Sequence, residues 1–225
     1  MNQPILRALA GFVQLLIVMG IIIFVPARTL DYWQAWIFLA VFFVAALAIT
    51  IYLMKHDPKL LERRTSAGPG AEHERSQNII QALAALAFIA MFIVSALDHR
   101  FGWSTVPAYV IALGDVLVIL GFYFVFLVFK ENTFASGTIE VVAEQRVIST
   151  GPYALVRHPM YIGALVMLMG VPLALGSWWG LLAIIPMIIV LILRLLDEEK
   201  FLAKNLAGYC DYQSKVRYHL FPLIW

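Results

Sequence analysis

Long apolar runs dominate the chain, at Ala8–Val25, Tyr32–Met54, Ile79–Leu97, Ala108–Phe129, Tyr161–Leu175 and Leu181–Leu196. A helix that crosses a bilayer needs roughly 20 predominantly apolar residues, and the first four runs come near or reach that length. The last two are shorter and flank Gly176-Ser-Trp-Trp-Gly180. Two tryptophans in a turn suit an interfacial belt, so the pair predicts a tight helical hairpin. The pattern therefore predicts an all-α, polytopic membrane bundle of about six spans. Residues 1–130 form a four-span N-terminal region, and 131–225 hold the hairpin (161–196) and a C-terminal tail.

Polar positions set the expected orientation. Of the sixteen lysines and arginines, only Arg28 and Arg100 fall on one side of a six-span arrangement, leaving fourteen on the other. Cytoplasmic connections carry the excess of basic residues, so both termini are expected on the cytoplasmic side. An odd number of spans would spoil that asymmetry. A bacterial or archaeal cytoplasmic membrane is the expected setting.

Composition supports the same picture. Hydrophobic residues make up 62% of the chain and charged residues 13%, about half the charge of an average soluble domain, so lipid must solvate part of the surface. The net charge of +2 is small and says little about nucleic acid, but the basic residues are scattered with no stripe of the kind a duplex reader needs, so no nucleic-acid partner is expected. The single cysteine, Cys210, excludes an internal disulfide and a multi-cysteine metal site, and no metal is expected. The first apolar run lacks a small-residue cleavage site and reads as a retained span.

Within the spans, Gly114 and Gly121 are seven apart and suit close helix contact. Asp115, Gln14 and Gln81 are expected to make hydrogen bonds between helices. Between the spans, Lys55–Gln77, with Gly68-Pro69-Gly70, reads as a solvated connector, with a substrate-contacting role as the alternative. Lys130–Ser136 lies where an acceptor could enter but carries no motif that assigns it. Glu131–His158 alternates β-branched and polar residues at Thr138–Val142 and leads into a helix start.

Chemistry concentrates at Gly151-Pro-Tyr-Ala-Leu-Val-Arg-His-Pro-Met-Tyr-Ile-Gly163. Pro159 suits a first helical turn, which puts His158 at the cap and Tyr161 within that turn. Arg157 and Tyr161 are four apart and His158 and Tyr161 three apart, so they can share a face. A basic, aromatic helix start is a plausible seat for a carboxylate or phosphate. A membrane-interface anchor fits the same residues.

A second concentration is Arg194-Leu-Leu-Asp-Glu-Glu-Lys200, where the last span emerges. Arg194 and Glu198 are four apart and can pair, which leaves Glu199 as the freer acceptor for an amine or for ribose hydroxyls. The tail carries Tyr209, Tyr212 and Tyr218, suited either to membrane-surface packing or to a lid.

The order G-P-Y…V-R-H-P-M-Y…G, an apolar hairpin, D-E-E, then G-Y…Y…V…P…W resembles the isoprenylcysteine carboxyl methyltransferase family and its phospholipid methyltransferase relatives. The resemblance covers roughly residues 130–225. It implies S-adenosylmethionine bound at the cytoplasmic membrane face by the 131–225 region, and a lipophilic or membrane-associated acceptor. It implies that Arg157, His158, Pro159, Tyr161, Glu198 and Glu199 line the cofactor pocket, with Gly151, Pro152, Tyr153, Tyr209 and Tyr212 shaping and covering it. Transfer from a sulfonium is an in-line displacement in which alignment does most of the work. A carboxylate acceptor could be oriented by Arg157 or Arg194. An amine or thiol must lose a proton, to His158 or a nearby glutamate. Membrane sterol and steroid reductases, which use NADPH, resemble the same half of the chain. Met160 stands where they tend to have asparagine, which favours methyl transfer. A non-catalytic membrane scaffold is the third reading.

Overall fold

The computed structural model describes residues 3–65, 72 and 75–225, with side chains from Ala10 onward. Eight α-helices follow in order: α1 (Gln3–Ala27), α2 (Trp33–His56), α3 (Pro58–Thr65), α4 (Arg75–Phe101), α5 (Ala108–Glu131), α6 (Pro159–Ala174), α7 (Ile184–Asn205) and α8 (Tyr209–Lys215). Short 3₁₀ turns at Gly151–Ala154 and Trp179–Ala183 precede α6 and α7. No strand occurs among the described residues.

Five helical segments are long and apolar enough to cross a membrane: the four long helices of the N-terminal half and the continuous stretch Trp179–Asn205. The chain is an integral membrane protein. The sixth expected span is shorter than the rest. α6 has 16 residues, which is about 24 Å of helix against a hydrocarbon core of about 30 Å. The last helix is correspondingly longer than its apolar run, because the charged stretch Asp197–Lys204 stays helical.

Lipid is as apolar as leucine, so packing and small residues decide how these helices associate. One core joins Met19 and Ile23 of α1, Phe38 and Phe42 of α2, Phe92 of α4 and Val118 of α5. Aromatic rings lock it: Phe42 meets Phe122 edge-on at 5.0 Å, and Phe38 lies 5.8 Å from Phe92.

The closest approach is between α5 and α6. A Cβ on Gly114 would lie 2.2 Å from the backbone N of Ala174, and one on Gly121 would lie 2.6 Å from Met167 Cβ. Gly170 sits against the Gly114 carbonyl and Gly163 against Val125. The expected close contact at Gly114 and Gly121 is therefore present, and α6 supplies matching glycines. It also corrects the expected hairpin: α6 lies along α5 rather than pairing tightly with α7, because its glycine face admits the α5 backbone.

One end of the bundle is tied by polar groups. Asp98, at the close of α4, accepts the Ser104 N–H (2.7 Å), the Ser104 hydroxyl (2.6 Å) and the Ser177 hydroxyl (2.5 Å). Tyr32 donates to the Leu175 carbonyl at 2.7 Å. These bonds fix the α6–α7 turn, where Gly176 adopts a φ of +70°. Trp178 and Trp179 are exposed there, as an interfacial belt requires.

Other expectations about polar residues change. Asp115 is buried, but its Oδ1 has no hydrogen-bond partner among the described residues. Gln14 is exposed on α1, and Gln81 donates to Glu72, in the connector, rather than to a neighbouring helix. The connector is not simply solvated either. Asp57 caps α3 by accepting the Leu60 N–H at 3.0 Å, and Leu60 and Leu61 pack on Leu53, Phe129 and Ala135. Gly68-Pro69-Gly70 lies outside the described residues.

Candidate active site

The site forms at the end where α3, the start of α6, the end of α7 and α8 converge. Its base is laid by the α6 start. His158 is the N-cap and Pro159 the first helical residue, as the proline position dictates. The tail then pairs with this start, with the Arg157 N–H donating to the Tyr218 carbonyl (2.9 Å) and the His158 N–H to that of His219 (3.0 Å).

Beneath these bonds lies a buried charge cluster centred on Glu199. Arg157 donates to its carboxylate from Nε (2.5 Å) and Nη2 (3.2 Å), and His158 Nε2 lies 3.0 Å from Oε1. His219 Nε2 is 3.1 Å from Oε2. The third Arg157 nitrogen, Nη1, donates to the Val216 and Arg217 carbonyls. Glu199 and Arg157 are 8% and 9% exposed, so this pair is shielded from water. Burial depresses the His219 pKa, with Arg157 and His158 adding to that effect and Glu199 opposing it.

Glu198 points elsewhere. Its carboxylate accepts the Tyr161 hydroxyl at 2.7 Å and borders a cavity of about 330 Å³, within the size range of small-molecule sites. Tyr153, Tyr161, Tyr209 and Tyr212 also line this cavity, together with Arg157, His158, Pro159 and Arg194. Asn132 donates to the Tyr153 hydroxyl, and the Tyr212 hydroxyl donates to the Tyr153 carbonyl at 2.8 Å. Burial pushes the Tyr153 phenol up to about 12 and raises Tyr209 and Tyr212 as well, so all three are neutral near pH 7. The Tyr209 hydroxyl is buried without a protein partner among the described residues.

Sequence expectation and structure divide here. Arg194 does not pair with Glu198, four residues on. It reaches Glu72 (2.9 Å) and the Gly137 carbonyl (3.0 Å), because a carboxylate brought in from the connector offers a better-buried partner. Burial works to raise the Glu72 pKa, but bonds from Ile139 N–H, Gln81 and Arg194 outweigh it and leave the carboxyl below its ordinary value. Glu199, expected as the freer acid, is consumed by Arg157 and His158, and Glu198 faces the cavity. Gly151 and Pro152 form the 3₁₀ turn behind Tyr153 rather than the cavity wall. Gly151 has a φ of +56° and abuts Glu131.

Several wall residues carry no individual assignment from sequence: Arg64 of α3, Asn132 and Phe134 after α5, and Ser136–Glu140. They fall in or next to the stretches 55–77 and 130–136, where substrate contact or acceptor entry is open. Ser136 and Thr138 hydroxyls donate to Glu140. Periodicity marks apolar faces and carries no signal for irregular segments brought together by tertiary packing. The tail is a wall of the site: Tyr209, Tyr212 and Val216 pack on Val141 and Val147.

A bundle of membrane-crossing helices thus carries a cavity of tyrosines and carboxylates at one end. The profile of the phospholipid methyltransferase family matches residues 109–208, from the first turn of α5 to the glycine that caps α8. This stretch is a phospholipid methyltransferase domain, of the family that contains the isoprenylcysteine carboxyl methyltransferases, and the protein is a membrane methyltransferase. No curated protein matches the chain.

Proposed function

We propose that the protein transfers a methyl group from S-adenosylmethionine to a lipophilic, lipid-type acceptor, using the cavity bordered by Glu198. The observation that carries this reading is the joint presence of the Glu198 carboxylate, four tyrosines and the unpartnered Tyr209 hydroxyl on one small-molecule cavity. That donor set fits a cationic, ribose-bearing cofactor. Tyrosine faces and a carboxylate suit a positive charge, and Glu198 Oε1 and the Tyr209 hydroxyl are free to bond ribose or amine groups. The domain match at 109–208 and Met160 support methyl transfer over hydride transfer.

S-adenosylmethionine, when bound, supplies a methyl group activated by a positively charged sulfur. The chain's own groups hold and orient it. Tyr161 fixes the Glu198 carboxylate through its hydroxyl. The Glu199–Arg157–His158 cluster holds the α6 start and the tail together, so that Tyr161, Tyr209 and Tyr212 keep their mutual positions. An amine or thiol acceptor would give its proton to Glu198, because His158 Nε2 is engaged by Glu199 while its Nδ1 lies 4.0 Å from Glu198. The basic-residue asymmetry supports a cytoplasmic position for this end of the bundle.

The test is methyl transfer itself. Purified full-length protein in nanodiscs, given S-adenosylmethionine labelled in its methyl group and mixed membrane lipids, should move label into the organic phase. Glu198→Gln should reduce that transfer at least tenfold. Absence of label transfer from the folded wild type to any lipid fraction would contradict the reading.

A further inference from the structure

The cavity has two unlike walls, marked by consecutive residues of α6. Tyr161 reaches Glu198 on the α7 wall, whereas Met160 Sδ lies 3.8 Å from Arg64 Nη1 on the α3 wall. Arg64 lies outside the matched domain, on a helix whose apolar face packs with Leu53 and Phe129 of the membrane-crossing helices.

Four arginines line this cavity; Arg146 is exposed to solvent, and the other three differ in how their charge is met. Arg157 is neutralised by Glu199 and Arg194 by Glu72. Arg64 has no carboxylate oxygen within 4.0 Å among the described residues. Its Nη1 donates to the Ser136 carbonyl at 2.9 Å, and the guanidinium carbon stands 5.2 Å from the centre of the Phe129 ring. Its Nε and Nη2 have no protein partner among the described residues. Glu140, on the same wall, is occupied by the hydroxyls of Ser136 and Thr138. Burial draws the Arg64 pKa below its ordinary value, the mark of a desolvated cation. The guanidinium is part-buried, Glu198 acts on its charge only from beyond ion-pair distance, and one aromatic face offsets part of the cost of its burial.

We propose that Arg64 is a specificity-determining residue of this site, whose free Nε and Nη2 seat an anionic group, carboxylate or phosphate, of the methyl acceptor. The guanidinium fork matches either group with two parallel hydrogen bonds. The assignment to the acceptor rather than to the cofactor follows from the walls. The acid and tyrosine wall suits the positively charged cofactor, and the Arg64 wall carries Phe134, Ala135 and Met160, apolar side chains against which part of a lipophilic body can lie. It rests on the methyl-transfer reading above.

The experiment uses the full-length protein in a non-ionic detergent, titrated calorimetrically with tetradecanoate, tetradecyl phosphate and tetradecanol, with S-adenosylhomocysteine present. Separate titrations measure S-adenosylhomocysteine alone. The wild type should bind at least one of the two anions about tenfold to a hundredfold more tightly than the alcohol, and the preferred anion names the acceptor's charged group. Arg64→Gln should abolish that preference while leaving the affinity for S-adenosylhomocysteine within about twofold. Arg64→Lys should keep part of it, because it retains the charge without the fork. Thermal melting confirms that both variants fold, and Arg64→Lys carries the test if Arg64→Gln does not. An anion preference unchanged in Arg64→Gln, or absent from the wild type, overturns the proposal. So does a loss confined to S-adenosylhomocysteine, which would give Arg64 to the cofactor. Arg64-dependent anion preference in a protein that fails to bind S-adenosylhomocysteine would leave the anion seat standing and remove the methyl-transfer reading instead.

Discussion

Glu198 and Glu199 are adjacent in sequence, yet substituting each should have an opposite signature. Glu199→Gln removes the charge from a carboxylate that accepts two hydrogen bonds from Arg157 and faces His158 and His219. Arg157 stays 9% exposed and loses its counter-ion. Breaking a buried pair from one side costs about 3–5 kcal/mol. Glutamine keeps one acceptor oxygen, and Arg157 keeps the Val216 and Arg217 carbonyls, so the lower end applies. For a chain of this length about 3 kcal/mol corresponds to a fall in Tm of roughly 6–12 °C. Glu198→Gln removes a charge that borders the cavity and should lower Tm by no more than about 2 °C. It should weaken S-adenosylhomocysteine binding about tenfold to a hundredfold, the worth of one charge-assisted hydrogen bond. The assay is thermal melting in detergent with and without S-adenosylhomocysteine. The double variant Arg157→Met/Glu199→Met should recover part of the stability lost in Glu199→Gln, since neither charge is then buried alone. If Glu199→Gln melts like the wild type and Glu198→Gln binds like it, the division of roles between the two acids is wrong.

Further outcomes follow from the same geometry. Gly114→Ala forces a Cβ against backbone that cannot rotate away, so it should destabilise at the upper end of about 1–3 kcal/mol, read as a Tm loss that wild-type levels of S-adenosylhomocysteine do not restore. Asp98→Ala should cost about 1–3 kcal/mol for the buried Ser177 hydroxyl it strands and less for the part-buried Ser104 donors, and should leave cofactor affinity unchanged because it lies at the opposite end. His219 has a depressed pKa when folded, so the unfolded chain binds more protons as pH drops below about 6.5. Its contribution is complete above that pH and is lost as pH falls through the folded value, so wild-type Tm should fall more steeply below pH 6 than that of His219→Gln. Reporter fusions at Arg100 and Trp225 should report opposite sides of the membrane; signals from the same side would contradict the six-segment topology.

How much of this was legible in the sequence depends on the kind of signal. Apolar runs of near-membrane length gave the helices, because length and hydrophobicity are local properties. Pro159 placed the α6 start for the same reason, and the Gly114–Gly121 spacing anticipated the α5 contact. The partner of Arg194 was not legible. The i to i+4 rule offers Glu198, but Glu72, brought from far away in sequence, is better buried and also bonds Ile139. That single exchange reverses the ranking of the two acids, since it frees Glu198 for the cavity while Arg157 claims Glu199. Arg64 was hidden in a connector that reads as polar and solvated. Only the packing of Leu60 and Leu61 on Phe129 carries it inward.

Calorimetric titration of the purified wild-type protein with S-adenosylhomocysteine, repeated on Glu198→Gln and on Arg28→Ala at the far end of the bundle, tests the cofactor assignment most directly. Saturable one-to-one binding by the wild type and by Arg28→Ala, with affinity about tenfold to a hundredfold weaker in Glu198→Gln, is the predicted result. No binding by a folded wild type, or equal affinity in all three proteins, would contradict it.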